Sequence, residues 1–331
     1  MDYKPEYMYI PEDEDGYTVS FGEVTPEALE FFDTYGFYVI RDCLSQEECN
    51  ESLESIFRQV REEAPLFDIR TPTSWSEWDS KSFGMPKVRH SVVFDTRLLK
   101  NRLNENVFRA LTGVIGTPDV VISHDRWCLY LPTLVTEDGV RFRTRDNVHL
   151  DCNPYKYVEG DVSELVKING IEPVDADYLA YNNIAIRKDL YGGLPIQASI
   201  CLYDNFKEDG GFQLVPGFHK HFEDWVKGAG KLVDSSRVDF PAGCEMSKMA
   251  QRVTQRAGSV VVWDQRLPHG SAGNRSEKIR CSQFVRAFPS SILSSKTKKK
   301  YGIAMRRQLQ DMKINDPHGL LGLQWTLTKA A

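Results

Sequence analysis

No stretch of this 331-residue chain approaches the run of about 18 apolar residues that a membrane-crossing helix needs. The opening "MDYKPEYMYIPEDEDG" is acidic and lacks an apolar signal core, and the closing "LTKAA" is not a Ser-Lys-Leu peroxisomal tail. The cytoplasm is therefore the expected location. A surplus of positive charge is missing too. Forty-one Lys and Arg against 47 Asp and Glu leave a net charge of −6, which speaks against a nucleic-acid or anionic-membrane partner. The one basic run, Lys296-Thr297-Lys298-Lys299-Lys300, reads as a solvated loop or helix start. Seven cysteines, an odd number without paired spacing, describe neither a disulfide framework nor a zinc knuckle. Free thiols in a reducing compartment are expected instead. No linker, low-complexity tract or internal repeat divides the chain.

What is present begins with scaffold. Thr25 is placed as an N-cap with Pro26 at the first helical position, and Gly36 as a stop. Phe37-Tyr38-Val39-Ile40 then reads as a strand, and Ser45 with Glu48 forms a capping box for a helix over 46–63. Residues 64–120 mix loops and short helices. From about residue 120 the period changes: "DVVIS", "RWCLYLP", "NVHLD", "PIQASICLYD", "GFQLVP", "GSVVVWD" and "IRCSQFVRAF" are short runs bounded by Gly, Pro, Asp and Asn. So many short strands without interleaved helices predict an antiparallel barrel or sandwich, not a doubly wound sheet. Residues 155–193 interrupt the series as a lid or surface decoration, and the chain after Tyr301 returns to helical or irregular character.

Within "NVHLDCN", His149 and Asp151 are two apart, so a strand turns both to one face and Leu150 to the other. Chance supplies about one His-x-acid pair in a chain of this composition, so the triplet alone decides nothing. Two histidines and a carboxylate on one face, with positions left open, are the arrangement of non-haem Fe(II) oxygenases. Candidates for the second histidine are His90, His124, His219, His221 and His269, with His318 set aside in the tail. His219 and His221 are also two apart and compete as a zinc or hydrolytic site. His269 has the better surroundings, at a turn, "LPHGSAGN", after the strand "GSVVVWD". Eleven residues later Arg280 opens another strand. A planar guanidinium there, with the Ser271 hydroxyl, suits the distal carboxylate of an oxo-acid co-substrate.

These segments resemble the phytanoyl-CoA dioxygenase family of Fe(II)- and 2-oxoglutarate-dependent oxygenases. "EFFDTYGFYVIRDCLSQEEC" looks like the family's N-terminal helix, strand and second helix, and "HLD" matches its metal triplet. "EDGGFQLVPGFHKH" is similar to its strand-turn segment, and "HGSAGNRSEKIR" to the stretch with the distal histidine, serine and arginine. The resemblance implies a mainly β fold, a double-stranded β-helix (jelly-roll, cupin-like) core with flanking helices. It implies one domain over 1–331: a mostly helical flank at 1–120, a core at 121–290 carrying the 155–193 insertion, and an extension at 291–331. It assigns His149, Asp151 and His269 as iron ligands and Ser271 with Arg280 as the 2-oxoglutarate anchor, and it makes His219 a structural turn residue.

The implied activity is hydroxylation of a C–H bond in a small molecule (an acyl-CoA, an amino-acid derivative or a secondary metabolite), with Fe(II), 2-oxoglutarate and O2, and ascorbate as a candidate reductant. Desaturation, cyclisation or rearrangement at the same iron, and a metal-binding scaffold without turnover, are the alternatives. Leu150 stands where the acyl-CoA-hydroxylating members have glutamine. Asp151 stands where related halogenases have a small residue that admits chloride. Of the remaining residues, Arg266 is expected to face solvent, His124 and Arg126 to be structural, and Asn182-Asn183 to be a turn. Tyr155, Lys156 and Tyr157 are substrate-side candidates. Oligomeric state is not legible in the sequence.

Overall fold

The chain was analysed as a computed structural model, which describes residues 7–78, 84–86, 92, 95–122, 126–133, 135–136, 139–140, 146–151, 154, 196–228, 238–289 and 310. The first helix, α1 (Pro26–Tyr35), starts where Thr25 accepts from the Ala28 amide and ends at Gly36 in the left-handed region, φ 81°. Strand β1 (Phe37–Ile40) follows directly. Helix α2 (Gln46–Glu63) carries the full capping box, with Ser45 and Glu48 each satisfying the other's backbone amide. Two further helices, α3 (Thr96–Arg102) and α4 (Glu105–Ile115), begin at Asp95 and Asn104, whose side chains cap the free amides.

The remaining strands are β2 (Val120–Ile122), β3 (Trp127–Tyr130), β4 (Val135–Thr136), β5 (Gly139–Val140), β6 (Val148–Leu150), β7 (Ile196–Cys201), β8 (Phe212–Leu214), β9 (Val238–Phe240), β10 (Gln251–Arg252), β11 (Val260–Asp264), β12 (His269–Ser271) and β13 (Arg280–Pro289). They form two antiparallel sheets. The major sheet runs β1-β11-β7-β13-β2, with β3 also paired to β13; the minor sheet runs β10-β8-β12-β6-β9, and β4-β5 make a separate ribbon. This is the expected jelly roll. The expected strands are present, and β1 joins the major sheet through β11.

Strand alternation divides the apolar residues between two cores. One face of the major sheet, with Tyr38, Ile40, Trp127, Leu129, Ala198, Ile200, Val260 and Val262, packs on α2, α3 and α4. The opposite face carries Phe37, Val39, Val261 and Trp263, which share a second cluster with Phe212 and Leu214 of the minor sheet. A buried polar clamp fixes the helices to the first face: Asn101 donates to Ser52 Oγ at 2.9 Å and to Gln283 Oε1 at 2.8 Å, and Gln283 donates to the Leu98 carbonyl.

Six cysteines, Cys43, Cys49, Cys128, Cys201, Cys244 and Cys281, are free thiols, as expected; the seventh, Cys152, lies outside the described residues. No helix among the described residues is long and apolar enough to cross a membrane. The 155–193 segment, the basic run at 296–300 and the chain after Tyr301, Gln310 apart, lie outside the described residues, as do His90, His124, Tyr155, Lys156, Tyr157, Asn182, Asn183 and His318.

Gly36 shows how tightly α1 is seated. A Cβ there would sit 2.6 Å from His219 Nδ1 and 2.9 Å from Leu267, on a backbone L-residues avoid. Gly36→Ala is expected to cost more than about 1 kcal/mol of stability, read from the urea midpoint at unchanged slope.

Candidate metal centre

His149 and His269 are direct cross-strand partners on β6 and β12, with ring centroids 4.7 Å apart. Asp151 lies just past the end of β6, and its two oxygens face the two imidazoles: Oδ1 is 3.4 Å from His149 Nε2 and Oδ2 is 3.7 Å from His269 Nε2. One ligand atom from each of the three lies within 4.8 Å of the others, the one such cluster among the described residues. His269 sits in a short strand, a correction to its expected place in a turn. The strand forms because Gly270 lets the chains close up: a Cβ there would lie 2.0 Å from the Asn147 carbonyl.

Neighbouring groups set the protonation and charge of the three residues. The 2.8 Å contact between His269 Nδ1 and the Leu267 carbonyl requires the proton on Nδ1, so Nε2 presents a lone pair. Burial pushes the Asp151 carboxyl up. The neighbouring His269 imidazole, the Arg286 guanidinium and His149 outweigh it and hold the group well below the usual carboxylate range. Asp151 Oδ2 also accepts from Gln197 Nε2 at 2.9 Å and from Arg286 Nη2 at 3.0 Å.

Two residues along β12 from His269, Ser271 accepts from Arg280 Nη1 at 2.9 Å. Arg280 is 2 % exposed, and among the described residues no carboxylate lies within ion-pair distance of it. Its guanidinium lies 5.1 Å from the ring centroid of Tyr130, its cross-strand partner on β3. Burial raises the Tyr130 phenol above its ordinary value, so it stays a neutral hydroxyl. Ser199, on the face of β7 shared with Gln197, is 1 % exposed, and its Oγ has no protein partner among the described residues.

Sequence reasoning missed Tyr130, Gln197 and Arg286. A signal existed for the last: Arg280 and Arg286 are six apart on one strand, and an even spacing puts them on one face. Nothing in "RWCLYLP" or "PIQASICLYD" distinguishes Tyr130 or Gln197 from other strand residues.

The competitors sit elsewhere. His219 is buried, with Nε2 3.0 Å from the Asp33 carbonyl, and His221 is exposed at the end of a short 3-10 turn. Arg126 donates to the Pro86 carbonyl. Arg266 does not face solvent as expected. The nearly inaccessible Asp264 carboxylate needs a counter-charge, and Arg266 folds back on it through its amide, Nε and Nη2. Leu150 is fully buried in the apolar cluster that contains Phe222 and Val226, with Val238 and Phe240 against it.

Comparison with known proteins agrees with this architecture. The phytanoyl-CoA dioxygenase family model matches residues 169–282, which include His269, Ser271 and Arg280 and begin after His149 and Asp151. A Dictyostelium discoideum protein named "Putative phytanoyl-CoA dioxygenase" is 34% identical over 310 residues, covering 89% of this chain and 86% of that protein. An ectoine dioxygenase of Nocardia farcinica is 26% identical over 278 residues, covering 80% and 78%. Among solved structures, the epimerase SnoN in complex with Fe3+, alpha-ketoglutarate and nogalamycin RO superposes with a TM-score of 0.50 at 14% identity, covering 80% of this chain and 83% of that one, a likeness of fold alone. The fold is that of the jelly-roll enzymes. Within that class, the chain belongs to the phytanoyl-CoA dioxygenase family and is a dioxygenase of that type.

Two stability predictions follow from the buried neighbours. Leu150→Gln is expected to cost about 1–3 kcal/mol by placing an amide among apolar side chains, read from denaturant unfolding. Burial depresses the His219 pKa below its ordinary 6.5, despite the opposing pull of Asp264. The unfolded chain then binds a proton that the native state refuses. The stability present above that pH is lost as pH falls through the folded value. His219→Asn should flatten the decline of unfolding free energy on acidification from about pH 7 to 5.

Proposed function

We propose that the protein is an Fe(II)- and 2-oxoglutarate-dependent dioxygenase that hydroxylates a C–H bond of a small molecule. In this reading His149 Nε2, a carboxylate oxygen of Asp151 and His269 Nε2 hold the iron. Nitrogen and oxygen donors in this ratio suit that metal and leave coordination positions for other ligands. The observation that carries the reading is Arg280. A buried guanidinium without a carboxylate partner among the described residues costs several kcal/mol unless an anion accompanies it. It lies in the same barrel as the triad, joined to His269 through Ser271 on the one short strand. Ser199, whose hydroxyl has no partner among the described residues, adds a polar atom inside that barrel.

The residues divide the work by charge. Arg280, with Ser271 and the neutral Tyr130 hydroxyl beside it, would hold the distal carboxylate of 2-oxoglutarate and set its orientation relative to the three ligands. His269 keeps its proton on Nδ1, which reserves Nε2 for the metal. Phe212 and Trp263 pack against His269 and exclude water from its flank, with ring centroids 6.1 and 5.2 Å away. Bound iron with O2 would supply the oxidising chemistry, converting R–H, 2-oxoglutarate and O2 to R–OH, succinate and CO2. The curated relatives are named for two chemically unlike substrates, a CoA thioester and ectoine. The substrate class therefore stays as broad as an acyl-CoA, an amino-acid derivative or a secondary metabolite.

The test is anaerobic addition of Fe(II) and 2-oxoglutarate, followed by a metabolite screen for succinate release under air with ascorbate. Wild type should show a weak visible charge-transfer band and slow succinate formation that the right metabolite accelerates. His149→Ala should abolish both. Arg280→Ala should keep metal binding while raising the half-saturating 2-oxoglutarate concentration about tenfold or more, the loss of a charged hydrogen-bond pair. Equal 2-oxoglutarate affinity in Arg280→Ala removes that residue from the site, and absence of both signals in wild type removes the activity.

A further inference from the structure

Asp151 is held from across the barrel in a way that its role as a metal ligand does not by itself require. Trp263, Gln197 and Arg286 form one cross-strand row on β11, β7 and β13 of the major sheet, in register with one another. The Trp263 indole donates to Gln197 Oε1 at 3.0 Å. That bond fixes the amide, so Gln197 must present Nε2 to Asp151, and the 2.9 Å contact to Oδ2 is the result. Arg286 Nη2 reaches the same oxygen at 3.0 Å. The backbone is pinned as well, because Gln265 Nε2 donates to the Asp151 carbonyl at 2.8 Å. Both amide and guanidinium converge on Oδ2, which also lies 3.7 Å from His269 Nε2, whereas Oδ1 takes neither donor and lies 3.4 Å from His149 Nε2.

We propose that Arg286 and Gln197 are positioning residues that fix Asp151 as a one-oxygen metal ligand, with Oδ1 turned to the metal and Oδ2 retained by the major sheet. The inference rests on the iron-site reading above and adds to it the side chains that set the carboxylate's rotation. A carboxylate free to rotate brings both oxygens to a divalent ion and takes up a second coordination position, which a chelating co-substrate needs. Two donors on Oδ2 oppose that rotation. They also hold the carboxylate ready for the ion, so their loss costs metal affinity. A bond serving only to join the sheets would not need an amide whose orientation is set by a third residue. Nor is a buried ion pair an efficient stabiliser compared with apolar packing.

The experiment uses the full chain with Co(II) as a spectroscopic substitute for iron, and reads the visible absorption spectrum and Co(II) affinity beside the thermal midpoint. Arg286→Gln removes the charge, Arg286→Lys restores a cation at the same place, and Gln197→Met removes the amide at similar volume. The expected result is a changed Co(II) spectrum and Co(II) binding weakened about tenfold or more in Arg286→Gln and Gln197→Met. Arg286→Lys should recover most of the wild-type spectrum. Should Arg286→Gln fail to fold, Gln197→Met with Arg286→Lys carries the comparison. Wild-type spectrum and affinity in these variants, with only a lowered thermal midpoint, would overturn the proposal and leave a structural tie between sheets. Failure of the wild type to bind Co(II) at the triad would instead remove the iron-site reading, and this inference with it.

Discussion

The contact between the Asp151 carboxylate and the row Trp263-Gln197-Arg286 joins the two sheets at the point where the ligands meet. The minor sheet has little to hold itself with there. Strands β6 and β12 are three residues each, and they share one paired position, His149 with His269. Strands so short have marginal stability alone and take their rigidity from what they pack against. The ten-residue β13 and six-residue β7 supply it from the opposite side, since their continuous ladder makes the major sheet the stiffer surface. The ligand geometry is thus inherited from the longer strands by way of one carboxylate.

The same strand β13 then sets up two electrostatic environments. At its start Arg280 is buried against Ser271 and Tyr130, without a carboxylate among the described residues. Six residues on, Arg286 is paired with Asp151 at 3.0 Å. One guanidinium already has its anion, and the other has none among the described residues. A buried unpaired cation costs more than a paired one, so in the reading proposed above an incoming dicarboxylate is drawn to the Arg280 end. In the proposed reading this division lets one barrel hold a metal ligand in place and still attract a second anion. Within the minor sheet, Gln213 donates to the Asn147 and Ser271 carbonyls and Asn147 Oδ1 accepts from the Ser271 amide, so Ser271 is held in place.

Much of this was legible in the amino-acid order, for identifiable reasons. Caps act through the nearest backbone amides, so Thr25, Ser45 and Gly36 announce the ends of α1 and α2 without reference to the rest of the chain. Strands with β-branched and aromatic alternation, such as "GSVVVWD", announce themselves in the same way. The His-x-Asp spacing and the later His, Ser and Arg were visible because each sits on a strand or, for Asp151, just past its end, where a spacing of two or an even multiple means one face. His269 was misplaced in a turn because a strand of three residues containing glycine has no periodicity to read, and its pairing depends on Asn147, more than a hundred residues earlier. Arg266 was misjudged for a related reason, since its partner Asp264 is revealed only by that residue's burial. Gln197 and Trp263 belong to the same class: a cross-strand row exists only once the register is known.

Leu150 brings the two halves of the problem together. In the sequence it is the residue between His149 and Asp151, a position that invites a role in binding. In the fold, the alternation that turns His149 inward turns Leu150 away, into an apolar cluster with Val238, Phe240, Phe222 and Val226. Its side chain therefore acts on the metal centre by anchoring the short β6 from outside, as Asp151 anchors it from inside. A polar residue at that position needs a hydrogen-bond partner on the outer face, and an apolar one needs the cover that α5 (Phe222–Gly228) and β9 provide here. Leu150 thus acts through the packing behind its strand, which fixes where His149 and Asp151 stand.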